Sequence, residues 1–283
     1  MTEKNSKTTL ELIRTVSPKQ KKWTLGLTWG VIAALVVLGL FSKLLPMGIL
    51  VTCYAFLMAL FLGIHASTLI GPKAAAKMFI LGILLAYAFE ETCIHLNVGG
   101  GYTFLKMGPK IDVVPPTIPF GWVCTIYITW VMINFILDGA PTPRNNSQIR
   151  LWARALAAAL VLTTIDLGGD PLSVSNGYWV WHQGGPYFGV PVANYTIIWL
   201  GLGFLALLIH GYMERKHVDL TLDHATRGFK IWTILPILLF GFFTVALTGA
   251  NFKGIFGINQ LFAMGGPFML ALIRWFDWYK TVK

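Results

Sequence analysis

A chain of 283 residues that is 55% hydrophobic and only 12% charged, with a mean hydropathy of +0.65, is too apolar for a water-soluble domain of its size. Its formal net charge of +10 raises a nucleic-acid partner, but that role needs clustered basic side chains interleaved with stacking aromatics on a wet surface, a pattern absent from this chain. What remains is an all-α integral membrane protein, read as a single transmembrane domain over 1–283.

Residues 1–22 form a polar, basic segment. Apolar runs follow near 23–41, 48–70, 78–97, 120–137, 151–167, 195–213, 231–250 and 255–273, mostly long enough to cross a core of about 30 Å as helices. They predict eight spans, the fifth being the shortest. The first apolar run has no small-residue cleavage site behind it, which predicts a retained anchor rather than a signal peptide. With the N-terminus inside, the segments 1–22, 71–77, 138–154, 214–230 and 274–283 carry 18 of the 22 Lys and Arg, and the opposite side carries Lys43, Lys106, Lys110 and Lys253. That asymmetry predicts both termini in the cytoplasm, a cytoplasmic-membrane location and basic contact with anionic membrane lipid.

Only 12 acidic residues exist, and four of them, Glu90, Glu91, Asp166 and Asp170, stand at the non-cytoplasmic ends of spans three and five. A charged side chain at bilayer depth costs about 2.5–3.5 kcal/mol on insertion scales, so it persists where it faces a protein interior or a watery cavity. Each of these two spans runs into a long Gly/Pro-rich aromatic loop, 98–119 and 168–194. Segments so apolar do not stay solvated, so both loops are expected to be ordered caps over the acidic helix ends. An interfacial aromatic belt is the simpler account of their Tyr and Trp residues.

The two regions share a register. Glu90, Gly101-Tyr102, Gly108 and Val114-Pro115 recur as Asp166, Gly177-Tyr178, Gly184 and Val190-Pro191, each 76 residues later. Units 78–137 and 151–213 are therefore expected to be parallel repeats related by an axis along the membrane normal. Spans three and five would lie near each other, with Glu90 opposite Asp166 at the repeat interface. Asp166 and Asp170 share a helix face if the helix continues through Gly168-Gly169. Glu91 and His95 share another by i,i+4 spacing, while Glu90 points about 100° away from Glu91. One glutamate then meets the site and the other pairs with His95. His65 and His210 read as buried, hydrogen-bonded imidazoles, and His182 in the second cap as a supporting or catalytic group. Asn134, Asn251, Asn259 and Gln260 read as interhelical hydrogen-bonding residues. Cys53, Cys93 and Cys124, an odd number without metal-type spacing, read as small core residues.

The stretches "FEETCIHLNVGGGYTF", "PPTIPFGW" and "DLGGDPLSVSNGYWVWHQGGPYFGVPVANY" resemble the membrane carotenoid-biosynthesis family that includes bisanhydrobacterioruberin hydratase and γ-carotene hydratase. The likeness runs from about span two to span six. It implies addition of water across the terminal double bond of an acyclic isoprenoid end, giving a tertiary alcohol, with a hydrophobic carotenoid as substrate and no organic cofactor.

That reaction needs a strong proton donor, a cavity that tolerates a tertiary carbocation and a held water. Glu90, set in the apolar "LLAYAFEETC", suits the acid. Asp166 and Asp170, beside Gly-Gly and a polar turn, suit cation stabilisation and water activation. Faces of Tyr178, Trp179 and Trp181 would each add about 0.5–2 kcal/mol of cation–π stabilisation. Tyr102, Tyr187 and Asn194, inside the matching blocks, complete the candidate substrate contacts, with Glu91, His95 and His182 in support. The chemistry calls on no metal.

Three rivals use the same residues. A membrane terpene or carotenoid cyclase or isomerase would form the same cation in a dry pocket. A prenyltransferase could hold Mg²⁺ between Asp166 and Asp170, but the second cap lacks any Lys or Arg for a diphosphate. A proton-coupled transporter also carries intramembrane carboxylates, although it should trace them across the membrane instead of gathering them at one end.

Overall fold

The structure, a computed structural model, describes residues 18–145, 147–215, 230–251 and 255–281. Most of the basic segment 1–22, much of 214–230 and Lys253 lie outside them. The elements in chain order are α1 (Pro18–Leu40), a short turn Ser42–Leu44, α2 (Met47–Ile70), α3 (Pro72–His95), β1 (Tyr102–Phe104), α4 (Thr117–Asp138), α5 (Gln148–Ser175), β2 (Trp179–Trp181), α6 (Asn194–Glu214), α7 (Leu235–Asn251) and α8 (Ile255–Thr281). The first seven helices, α7 together with the turn before it, are long and apolar enough to cross a membrane. The eighth, α8, has 27 residues but is less apolar over its described part, where Asn259, Gln260, Arg274 and Asp277 interrupt it. The chain is an all-α integral membrane protein.

Helix α5 departs most from the sequence expectation. It is 28 residues long, the longest described helix and not the shortest, and it runs through Gly168, Gly169 and Pro171 without stopping. Two contacts explain this. A proline in a helix leaves the carbonyl four residues earlier without its donor, and here the Tyr187 hydroxyl donates to that Leu167 carbonyl at 3.1 Å. Gly168 admits α8, since a Cβ there would stand 2.7 Å from the Gln260 side chain. The helix therefore carries Asp166 and Asp170 on one face, and the second cap begins near 176 rather than 168.

Helix α4 is the axis of the bundle, with 72% of its span buried. It packs against α2, α3, α5, α7 and α8, while α1 lies outside on α2. The expected approach of α3 to α5 is not a direct packing: α4 stands between them, in contact with both.

The two caps join each other. β1 and β2 pair antiparallel, with Tyr102 opposite Trp181, Thr103 opposite Val180 and Phe104 opposite Trp179. Their backbones also match 76 residues apart. Positive φ recurs at Gly101 and Gly177, at Gly108 and Gly184, and at Asp112 and Phe188. The bridge Ile111–Val114 recurs as Tyr187–Val190, and α3 and α5 begin at Pro72 and Gln148.

Gly101 is the tightest point of this lid. Its φ is +71°, and a Cβ there would meet Asn97 Oδ1 at 2.5 Å and His182 Nδ1 at 2.8 Å. Gly101→Ala is expected to cost about 1–3 kcal/mol, read as a lowered melting temperature in detergent and faster proteolysis of the cap. Gly26→Ala in α1, where nothing lies within 4 Å of the added carbon, should leave stability unchanged or raise it. Equal effects of the two substitutions would show that the cap backbone is unstrained by a side chain at 101.

Candidate active site

Under the two-stranded lid lies a cavity of about 490 Å³, walled by α2, α4, α5, α7 and the caps. Its surface is mostly apolar, and its polar lining includes Glu90, Asp166, Asp170 and Asn194. All three carboxyls are buried, at 7%, 5% and 2% exposure, so each must find hydrogen-bond donors within the protein.

Glu90, near the end of α3, is held by one donor on each oxygen. The Tyr102 hydroxyl from β1 donates to Oε2 at 2.5 Å, and Trp122 Nε1 from α4 donates to Oε1 at 2.5 Å. Burial first, and then the adjacent Glu90 carboxyl, push the Tyr102 phenol above its ordinary value, so it remains a protonated phenol at working pH. Trp122 in turn stacks on Trp199 of α6, centroids 4.4 Å apart and planes 12° from parallel.

The aspartates form the other side. Asn194 opens α6, whose first residues, Asn194–Leu202, follow a wide π-helical path, a distortion that often marks functional sites. Its amide spans the pair, donating to Asp166 Oδ2 at 2.7 Å and to Asp170 Oδ2 at 2.6 Å. Asp170 Oδ1 also accepts from Trp179 Nε1, and from Trp181 Nε1 at 3.5 Å, both on β2. Asp170 thus has three donors. Asp166 has one, and its Oδ1 accepts none among the described residues.

Seven of the twelve residues singled out from the sequence line this cavity apart from Asn194, which closes the set of eight: Glu90, Tyr102, Asp166, Asp170, Tyr178, Trp179 and Trp181 are the others. Tyr187 does not line it, because its hydroxyl serves the Leu167 carbonyl. Glu91, His95 and His182 lie outside. His95 Nε2 sits 3.0 Å from Glu91 Oε1 and 3.1 Å from Asp112 Oδ2, tying the end of α3 to the first cap. His182 Nε2 lies 2.8 Å from Thr103 Oγ1, across the sheet. His65 is satisfied as expected, by the Tyr127 hydroxyl at 2.7 Å and the Trp232 carbonyl at 2.9 Å, whereas His210 Nε2 has no partner among the described residues. Gln260 joins α8 to α5 through the Thr164 carbonyl at 2.8 Å.

Sequence reasoning missed Trp122 and Trp199. Trp122 ends the "PPTIPFGW" stretch, and the need for a donor to Glu90 was the signal that could have found it. It also missed Tyr54 of α2 and Phe243 of α7, which sit in uniformly apolar runs that give no signal.

This arrangement fits proton-driven chemistry on an apolar molecule. Glu90 and the aspartate pair line one cavity in two different hydrogen-bonding environments, and aromatic side chains share its wall. It does not fit a diphosphate held by a divalent cation. Both Oδ2 atoms of the aspartates are turned to an amide N–H donor, and no Lys or Arg lines the cavity among the described residues.

A family model described as carotenoid biosynthesis protein matches residues 48–264. No curated protein and no solved structure matches the chain. The matched segment covers well over half of the chain and takes in every helix and both caps that build the cavity, so the chain belongs to the carotenoid biosynthesis protein family.

Proposed function

We propose that the protein is a cofactor-independent carotenoid hydratase that adds water across the terminal C=C of an acyclic isoprenoid end. The observation that carries this reading is the presence of two unlike carboxyl environments in the wall of one apolar, aromatic-lined cavity. In one stands Glu90 with the Tyr102 phenol, and in the other Asp166, Asn194 and Asp170.

In the proposed reaction a protonated Glu90 is the acid. Its Oε2 meets the Tyr102 hydroxyl, so the proton passes to the alkene either directly or by relay, the phenol giving its own proton and taking that of Glu90. Protonation at the less substituted carbon leaves a tertiary cation. Asp170, with its three donors, is dressed as an anion and offsets that charge, and Tyr178, Trp179 and Trp181 present π faces to it. A water held at the free Oδ1 of Asp166 attacks the cation and gives its proton to the aspartate pair. Return of that proton to Glu90 through water completes the turnover. The sum is alkene plus water to tertiary alcohol, a redox-neutral change that asks for no organic cofactor.

The scarcity of polar groups in the cavity wall also suits the cyclase or isomerase reading, in which the same cation closes on its own chain or loses a proton. A different exchange of roles is favoured by the single donor on Asp166, which leaves that carboxyl the freer of the two to hold a proton and makes it the rival acid.

For the membrane placement, we propose cytoplasmic termini and a cavity facing the opposite side, supported by the distribution of Lys and Arg. Units 78–137 and 151–213 are proposed as parallel repeats, supported by the matching backbone turns 76 residues apart.

Glu90→Gln keeps shape but removes the transferable proton, and conversion of an acyclic carotenoid in membranes is expected to fall at least about 10³-fold. Asp170→Asn should lose a similar factor, and Glu91→Gln, outside the cavity, should stay within about threefold. In ¹⁸O-labelled water one heavy oxygen should enter the product. Unlabelled hydroxyl would indicate O₂ as the source, and an isomer without added oxygen would establish the cyclase or isomerase. A substrate ending in an epoxide, which opens with a weaker acid, separates the two acid assignments: it should restore turnover to whichever of Glu90→Gln and Asp166→Asn lacks the acid.

Reporter fusions test the orientation. A fusion after Gly185 should report the non-cytoplasmic side and one after Asp219 the cytoplasm. The reverse result would move the cavity to the other leaflet.

A further inference from the structure

The cavity is too small for the molecule it is proposed to act on. Its volume of about 490 Å³ equals a cube of about 8 Å edge, whereas an extended long-chain polyisoprenoid approaches the ~30 Å depth of the hydrocarbon core. Most of such a substrate must lie elsewhere.

Two helices that wall the cavity show where. Val51, Tyr54, Ala55 and Met58 of α2 line one side of it, and Phe243 and Leu247 of α7 another. The α2 residues recur at i, i+3, i+4 and i+7, a stripe about 10 Å long on one helix face. The helices are tied at their far end, where His65 Nε2 donates to the Trp232 carbonyl just before α7. Otherwise they share no extensive packing among the described residues. Behind the gap, α4 presents Gly121, where a side-chain carbon would meet nothing within 4 Å. On α7, Phe242 and Val245 point away from Phe243 and are 65% and 72% exposed, so the side of α7 turned from the cavity is the lipid-facing one.

We propose that the gap between α2 and α7 is a lateral portal for a long-chain polyisoprenoid, whose reacting end sits among the carboxyls while its tail runs between Val51 and Phe243 into the bilayer. The identity of the reacting end rests on the hydratase reading; the portal itself rests on the gap and its continuity with the cavity. The protein then grips only an end group. Chains of different length are equivalent once they outreach the cavity, and a molecule with two identical ends is processed one end per visit.

The test uses the full chain in phospholipid vesicles loaded with lycopene as the probe. Phe243 or Val51 is replaced by the photo-crosslinker p-benzoylphenylalanine, with Val245 as the lipid-facing control. Irradiation should give polyene adducts at 243 and 51, identified by mass, and phospholipid adducts alone at 245. Phospholipid adducts alone at all three positions would overturn the portal and make the gap an ordinary lipid contact. A second variant, Ala55→Trp, narrows the mouth from α2. It should lower both the polyene adduct at 243 and the conversion at least tenfold while the melting temperature holds, and undiminished adduct and conversion would likewise overturn the proposal. The two readings fail separately. Polyene adducts without hydrated product uphold the portal and remove the hydratase, whereas hydrated product with lipid-only adducts does the reverse.

Discussion

Three carboxyl groups inside an apolar bundle impose the constraint from which the rest of this structure follows. Each needs donors that water cannot supply at that depth, and none finds an Arg or Lys in the cavity among the described residues. The donors are instead indole N–H groups, a phenol and an amide. Tyr102, Trp179 and Trp181 come from the caps, Trp122 from α4 and Asn194 from the opening of α6. The caps are therefore part of the membrane domain's polar accounting, and their sheet pairing aims the donors. Because β1 and β2 pair Tyr102 with Trp181, the donor to Glu90 and a donor to Asp170 sit side by side, with ring centroids 4.7 Å apart.

A second polar knot fixes the opposite end of the same helices. Arg154 of α5 is fully buried and ion-paired with Asp138 at the end of α4, and its guanidinium lies 5.8 Å from the Trp130 ring centre. Trp130 Nε1 donates to Glu214, the last residue of α6, at 2.5 Å. Asp138 and Glu214 are themselves 76 residues apart. Breaking a buried pair from one side costs about 3–5 kcal/mol, so α4, α5 and α6 are held in register where no chemistry is expected. That rigidity matters at the other end, because donors stabilise a developing charge only if they are already in place when it forms.

Much of this was legible in the sequence because the signals are local and costly. Carboxyls in apolar runs demand a shared interior, and glycines at matched offsets demand matched turns. The i,i+4 spacing of Glu91 and His95 placed their pairing outside the site. What escaped was whatever a distant residue decides. Gly168-Gly169 followed by Pro171 reads as a helix end, and it is not one because Tyr187, sixteen residues beyond the proline, supplies the missing donor to the Leu167 carbonyl and Gln260 of α8 occupies the space over Gly168. The same contact removed Tyr187 from the cavity wall. The separation of α3 from α5 escaped for a related reason: a repeat register gives correspondence between units but not which helix occupies the centre, and α4, with 72% of its span buried, takes it.

The proposed reaction joins water to one of the least water-miscible classes of substrate, and the fold answers that mismatch by position. Glu90 and Asp170 stand five residues from the ends of α3 and α5, and Asp166 nine, beneath a cap whose outer residues, Thr103, His182 and Gln183, are exposed, so the proposed path for water runs through the cap. The proposed portal brings the hydrocarbon to the same point from the side, between α2 and α7, without its leaving the bilayer. A site at mid-membrane would have to bring water through about 15 Å of hydrocarbon, and a site outside would have to lift an apolar chain into solvent at about 25 cal/mol for every Å² exposed. In the proposed reaction, carboxyls in the cap-side part of the helices shorten both paths, water reaching them through the caps and the hydrocarbon through the portal.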